Sequence, residues 1–139
     1  MDAKDFLELG RSTTMTIKAK RAIIETLQDE ISHMERFAGS VPKHSTKDRP
    51  IYEALQLAYQ MQNEVKEEIE DLRLQQTDMI KSIEAVPDPL CRELLARRFI
   101  QDEDWPQIAD ELFYTVRYMF RLQKKALDLI EVPEKYRNM

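Results

Sequence analysis

A hydrophobic seam without a gap sets the strongest limit on what this chain can fold into. Ile51, Leu55, Ala58, Gln62, Val65, Ile69, Leu72, Gln76, Met79, Ile83 and Val86 follow one another at alternating spacings of four and three. A repeat of this period, kept over about five heptads, turns one stripe of a helix steadily toward a partner helix, as in a coiled coil. Gln62 and Gln76 are its polar interruptions. Pro50 stands where a helix can start, because the N–H it lacks is not needed there. Pro87 and Pro89 end the run, since residues before proline are pushed out of the α region.

The first part of the chain carries the same period. Ile17, Lys20, Ile24, Leu27, Ile31, Met34 and Ala38 step by three and four, and Phe6, Gly10 and Thr13 extend the phase backward. The spacing predicts a helix over about residues 3–38, or one that breaks at Gly10 and restarts at Ser12, a good N-cap residue. Between the two periodic stretches lies GSVPKHSTKDRP, residues 39–50, where turn-forming residues concentrate. The expectation for 1–86 is a long antiparallel helical hairpin, each arm about 50 Å long at 1.5 Å per residue. With Ala38 opposite Ile51, Thr13 falls level with Gln76, and the two are predicted to meet and fix the register. Ile23, Leu57, Tyr59 and Ile80 lie off the seam and need cover, from the C-terminal unit or from a second copy of the chain. A twofold homodimer is the expected assembly, being the commonest closed symmetry.

Composition agrees with helices. The chain has 139 residues with only two glycines, and 34% of it is charged. Such a sequence suits surface-rich helices and argues against an all-β protein. An all-α fold, above about 70% helix, is expected. Cys91 is the single cysteine, so no intrachain disulfide is possible and a reducing compartment is the simpler expectation. MDAKDFLELGRS lacks the basic-then-apolar layout of a signal peptide, and no apolar run approaches the ~20 residues of a membrane span. The protein is expected to be soluble and cytoplasmic, with no membrane partner.

After Pro87 the pattern changes to short amphipathic pieces, which sets a domain boundary between 1–86 and 87–139. Asp88 before Pro89 is a helix cap, and a helix is expected from Pro89 to about Gln101, with Leu90, Leu94, Leu95 and Phe99 inward. Asp104 caps the next helix, and Gln107, three residues on, resembles a capping box. Ile108, Ala109 and Leu112 form its apolar side. Thr115 caps a third helix, expected over 115–130. On a helical wheel of this last helix, Val116, Met119, Phe120, Leu122, Ala126, Leu127, Leu129 and Ile130 take one half. Arg117, Tyr118, Arg121, Lys124, Lys125 and Asp128 take the other. Residues 113–127 hold four positive charges and no acid, in a chain of net charge −5. That face is either a solvated stripe or a surface for a polyanion. A short helix, a tight turn and a capped basic second helix together match a helix-turn-helix, in which the second helix enters the major groove.

The residues of this segment also resemble a known pattern. LLARRFIQDEDWPQIADELFYTVRYMFRLQKKALDLI is similar to region 4 of sigma-70-type factors, and more so to small phage-encoded transcription regulators of the ArpU and RinA type. The resemblance covers residues 86–130 and rests on Leu94, Leu95, Arg98, Phe99, Trp105, Ile108, Ala109, Leu112, Tyr114, Thr115, Arg117, Met119, Arg121, Leu122, Ala126 and Leu127. It implies a helix-turn-helix regulator that binds double-stranded DNA, of phage or prophage late genes, with RNA polymerase as a second partner by analogy with region 4. One departure stands out. Many helix-turn-helix turns place glycine four residues after the buried alanine, where φ is positive, and here that residue is Phe113.

The candidate DNA-binding residues are therefore Thr115, Arg117, Tyr118, Arg121, Lys124 and Lys125. Arg117, Tyr118 and Arg121 are expected at base edges, since arginine pairs bidentately with guanine. Thr115, Lys124 and Lys125 are expected at phosphates. Trp105 stacks on a base or clamps the preceding helix. His33 and His44 lack partners at metal-binding spacing, Cys91 reads as packing, and Glu67, Glu68, Glu70 and Asp71 read as an outer helix face. No phosphate-cradling glycine loop is present. No catalytic residue, metal or cofactor is expected. The rival reading is a coiled-coil assembly protein that keeps the helix-turn-helix shape without binding DNA. A third is a region 4-like module that mainly contacts RNA polymerase.

Overall fold

The structure, a computed structural model, describes residues 1–39 and 49–138. Of these, 86% are helical and none lies in a strand. Most of the expected turn at 39–50, His44 included, lies outside the described residues. Helix α1 spans Ala3–Gly39 and α2 spans Arg49–Glu84. Short elements follow: α3 (Pro89–Leu95), which runs into a π-helical turn (Ala96–Ile100), then α4 (Trp105–Leu112), α5 (Val116–Leu129) and α6 (Glu134–Arg137). No helix of the described residues is long and apolar enough to cross a membrane.

The chain divides into two compact units, one of residues 16–72 and one of 1–15 with 73–139. The boundary read from sequence at 86/87 falls inside the second of these.

In the 16–72 unit the heptad pattern is the burial pattern. Ile17, Ile31, Ala38, Ala58 and Ile69 are buried, and Gln62 is the buried polar residue among them. Lys20, Ile24, Leu27, Met34, Ile51, Leu55, Val65 and Leu72 are half-buried, while Ile23, Leu57 and Tyr59 are exposed. Lys20 sits on the seam, but its ammonium reaches the Glu68 carboxylate, so the stem is covered and the charge stays wet. The Tyr59 hydroxyl donates to Glu35. These pairs match later residues of α2 with earlier residues of α1, so the two segments run in opposite directions.

The other unit is built on one core. Phe6, Leu7, Met79, Ile83, Val86, Cys91, Leu94, Leu95, Phe99, Ile108, Ala109, Met119, Leu122, Ala126, Ile130 and Tyr136 form a single buried cluster. Burying each large side chain of this kind stabilises the fold by about 1.5–3 kcal/mol. The start of α1 and the end of α2 thus belong to the same hydrophobic unit as the C-terminal helices. Helix α1 runs through Gly10 without a break. The reason for glycine there is space: a Cβ built on Gly10 would stand 2.1 Å from Met79 Sδ and 2.9 Å from Met79 Cβ.

Next to this contact lie two polar pairs that bracket the expected register and replace the expected pairing. Thr13 Oγ1 donates to Gln75 Oε1 at 3.0 Å, and Gln76 Nε2 donates to Thr14 Oγ1 at 3.2 Å. Thr13 and Gln76 do not bond each other. Each finds the neighbour of its predicted partner, because a long amide reaches sideways more easily than across a tight seam.

Helix α3 starts as its sequence indicates. Asp88 accepts from the N–H groups of Leu90 and Cys91, with Pro89 at the first helical position. It does not continue regularly to Gln101. From Ala96 the hydrogen bonds span five residues, as in Gln101 N–H to Ala96 O at 3.0 Å, which widens the turn. Asp102 then takes a left-handed φ of 57°, a conformation aspartate tolerates. Arg97 ties this corner together through Glu93, Glu103 and Glu111.

The C-terminal tail is fastened by a residue the periodicity does not reveal. The Tyr136 ring packs 5.0 Å from Phe6, and its hydroxyl donates to Asp78 Oδ2 at 2.8 Å. Burial, together with that bond to a carboxylate, pushes the Tyr136 phenol up to about 12. The neutral phenol is therefore favoured by folding. Its contribution is whole below the ordinary tyrosine pKa of about 10 and is lost as pH rises toward about 12. Urea midpoints taken from pH 9 upward are expected to fall more steeply for the wild type than for Tyr136→Phe. Parallel curves would remove Tyr136 from the alkaline transition.

Candidate nucleic-acid interface

Helices α4 and α5 are held by caps that the sequence encodes locally. Asp104 accepts from Gln107 N–H at 2.9 Å. The reciprocal half of the capping box is missing, because the Gln107 amide turns to Glu111 instead. Thr115 Oγ1 accepts from Tyr118 N–H at 3.1 Å and starts α5. Between them, the Phe113 and Tyr114 N–H groups close α4 on Asp110 O and Ala109 O. This closure requires Phe113 in the left-handed region, at φ 62° and ψ 38°. The position that would suit glycine is thus occupied by a bulky residue that is 93% exposed.

A left-handed conformation costs a non-glycine residue about 1–2 kcal/mol. Phe113 recovers little of this by burial. Phe113→Gly is expected to stabilise the chain by about 1 kcal/mol, less the larger entropy of glycine in the unfolded state. Urea denaturation measures it, and a loss of stability would show that the ring supports the fold.

Helix α5 presents the two faces that its wheel predicts. Met119, Leu122 and Ala126 are buried in the core. Arg117, Tyr118, Arg121, Lys124 and Lys125 are exposed. Phe120, expected on the apolar half, is half-exposed, with its ring centroid 5.2 Å from that of Trp105. Trp105 in turn lies under the Arg98 guanidinium at 5.1 Å. It clamps the π-helical turn to α5, which is the packing role among its two expected roles.

The five exposed side chains are not equivalent. Lys125 Nζ donates to Asp88 Oδ2 at 2.9 Å. The same carboxylate caps α3, and the Lys125 ammonium, helped by the Cys91 and Leu90 N–H groups, holds it below the usual carboxylate range. Arg117, Arg121 and Lys124 make no ion pair with any described residue. Tyr118 stacks on Tyr114, ring centroids 4.7 Å apart. Thr115, Arg117, Tyr118 and Arg121 line one shallow open depression at the start of α5. The structure therefore brings four of the six sequence-predicted residues together there. Lys124 lies further along the same face, and Lys125 is engaged elsewhere. The Thr115 oxygen is used as a cap, but its hydroxyl hydrogen remains available as a donor.

Electrostatically this end of α5 suits an anion. Helix N-termini carry partial positive charge, and two unpaired guanidinium groups flank this one. Cys91, by contrast, is fully buried, and burial pushes its thiol up, away from nucleophilic use. His33 is exposed on α1. Among the described residues no group of three His, Cys, Asp or Glu stands together as a metal site would. Sequence reasoning missed Asp88 as the partner of Lys125, and it missed the exposed Phe113–Tyr114 corner. The second had a signal in the departure from glycine. The first had none, because the two residues are far apart in the chain.

No family model, curated protein or solved structure matches the chain.

Proposed function

We propose that the chain is a non-enzymatic, DNA-binding transcription regulator. In this reading α4 and α5 form a helix-turn-helix, and α5 reads duplex DNA in the major groove. The observation that carries it is the unpaired trio Arg117, Arg121 and Lys124 on the exposed face of a helix whose other face is anchored in the core. The residue pattern over 86–130, similar to sigma region 4 and to phage regulators of the ArpU and RinA type, supports the same reading and adds a phage or prophage origin. Arg117, Tyr118 and Arg121 meet base edges, while Thr115 and Lys124 hold phosphates. Lys125 joins them by exchanging Asp88 for a phosphate. The deciding experiment is an electrophoretic shift of duplex DNA by the full chain at graded salt, with an Arg117/Arg121/Lys124 triple alanine variant alongside.

The antiparallel pair of long helices is, in this reading, a hairpin that forms a homodimer. The exposed Ile23, Leu57 and Tyr59 of the 16–72 unit support self-association. Sedimentation equilibrium is expected to give twice the chain mass at micromolar concentration. A monomer throughout that range removes the dimer.

A further inference from the structure

The proposed DNA reading leaves Phe113 unexplained. The residue is 93% exposed, so the core does not hold it, and its backbone sits at φ 62°, where glycine would be free of strain. Strain that packing does not require is a reason to look for a ligand. Phe113 lies two residues before the cap Thr115 and adjoins Tyr114, whose ring stacks on Tyr118, and Tyr118 lines the depression at the start of α5 with Arg117 and Arg121. Apolar surface bounded by unpaired cations and a helix N-terminus is complementary to an anionic partner that also offers an apolar group.

We infer that Phe113 packs against the C5-methyl group of a thymine in the major groove, so that the site this protein selects contains a thymine next to the bases read by α5. The inference rests on the DNA-binding reading above. Residues at the start of a groove-entering helix are those that meet base edges, and Phe113 lies in the turn two residues before the cap of α5. The thymine methyl is the one apolar group the major groove displays there, and phenylalanine is among the side chains that contact it. Insertion of the ring between base pairs is the less favoured alternative, since it requires unstacking at a cost of a few kcal/mol, whereas a methyl contact needs no deformation.

The test uses the full chain and a random-sequence duplex pool. Duplexes retained by the wild type are sequenced, and the enriched site is resynthesised with deoxyuridine replacing thymidine at one position at a time. Anisotropy titrations are expected to show one position where loss of the methyl weakens the wild type roughly fourfold, the equivalent of one buried methylene-sized group. Phe113→Gly, which keeps the fold, is expected to bind that site more weakly than the wild type and to bind the thymidine and deoxyuridine forms alike. A wild type indifferent to deoxyuridine at every position overturns the inference, as does a Phe113→Gly variant that keeps the same discrimination. A wild type that retains no duplex from the pool overturns the DNA-binding reading itself, an outcome distinct from either.

Discussion

Replacing Arg117, Arg121 and Lys124 together by alanine is expected to lower duplex affinity by about two orders of magnitude or more at low salt. An arginine at a base edge contributes roughly 1–3 kcal/mol, and a lysine at a phosphate adds a sequence-independent share. Each lost phosphate contact also flattens the dependence of log K on log salt by about 0.9, so loss of the Lys124 contact should make the variant's slope shallower by about 1. The singles separate the roles. Arg121→Ala is expected to weaken mainly the specific site, whereas Lys124→Ala weakens all sequences alike. Lys125→Ala is expected to have the smallest effect of the four cations, because Lys125 must first release Asp88. Exposed pairs of this kind contribute only about 0–1 kcal/mol, so a phosphate can still displace the carboxylate. All four side chains point away from the core, so the circular dichroism melting curve of the triple variant should match the wild type. Equal DNA binding by the two proteins would reduce the face to a solvated stripe, and the assembly-protein reading would then take first place.

The second large effect concerns Gly10 and Met79. Gly10→Val is expected to destabilise the chain by roughly 1–3 kcal/mol, the usual cost of forcing extra volume into a packed contact. Helix propensity opposes this, since glycine is the worse helix former by up to about 1 kcal/mol, but a Cβ at 2.9 Å from Met79 Cβ cannot be relieved by rotating the thioether alone. Met79→Ala is expected to cost about 2–5 kcal/mol through the cavity it leaves. The double variant should lose clearly less than the two single losses combined, because the valine then occupies part of that cavity. Urea denaturation of all four proteins gives the coupling directly. If Gly10 served only as a helix breaker, Gly10→Val would stabilise α1 and show no coupling to Met79.

These two predictions depend on different amounts of tertiary information. The first was largely legible in the sequence. The wheel of 116–129, the cap at Thr115 and the run of cations without an acid are local properties, since a helix fixes which side chains share a face whatever packs behind it. The heptad seam was legible for the same reason, as was the cap at Asp88. Gly10 was not. Its period allowed either a break or a continuous helix, and the choice lay in how closely Met79 approaches, which is a distance between residues far apart in the chain. The polar pairs at Thr13 and Thr14 show the same limit on a smaller scale: periodicity found the region, and side-chain reach chose the partners.

What the sequence alone determined, then, are features with a period or a helix cap: the all-helical class, the seam positions, the starts of α3, α4 and α5 and the composition of the basic face. Tertiary structure decided which of those exposed charges are unpaired. Lys125 and Arg121 are alike in the sequence, both cations on one face of one helix. They differ only because folding brings the Asp88 carboxylate, capping another helix, to 2.9 Å from one of them. Tertiary packing also fastened Tyr136 to Asp78 and set the Phe113 ring outward, since burial and pairing depend on where distant segments end up in space, and no repeat along the chain records that.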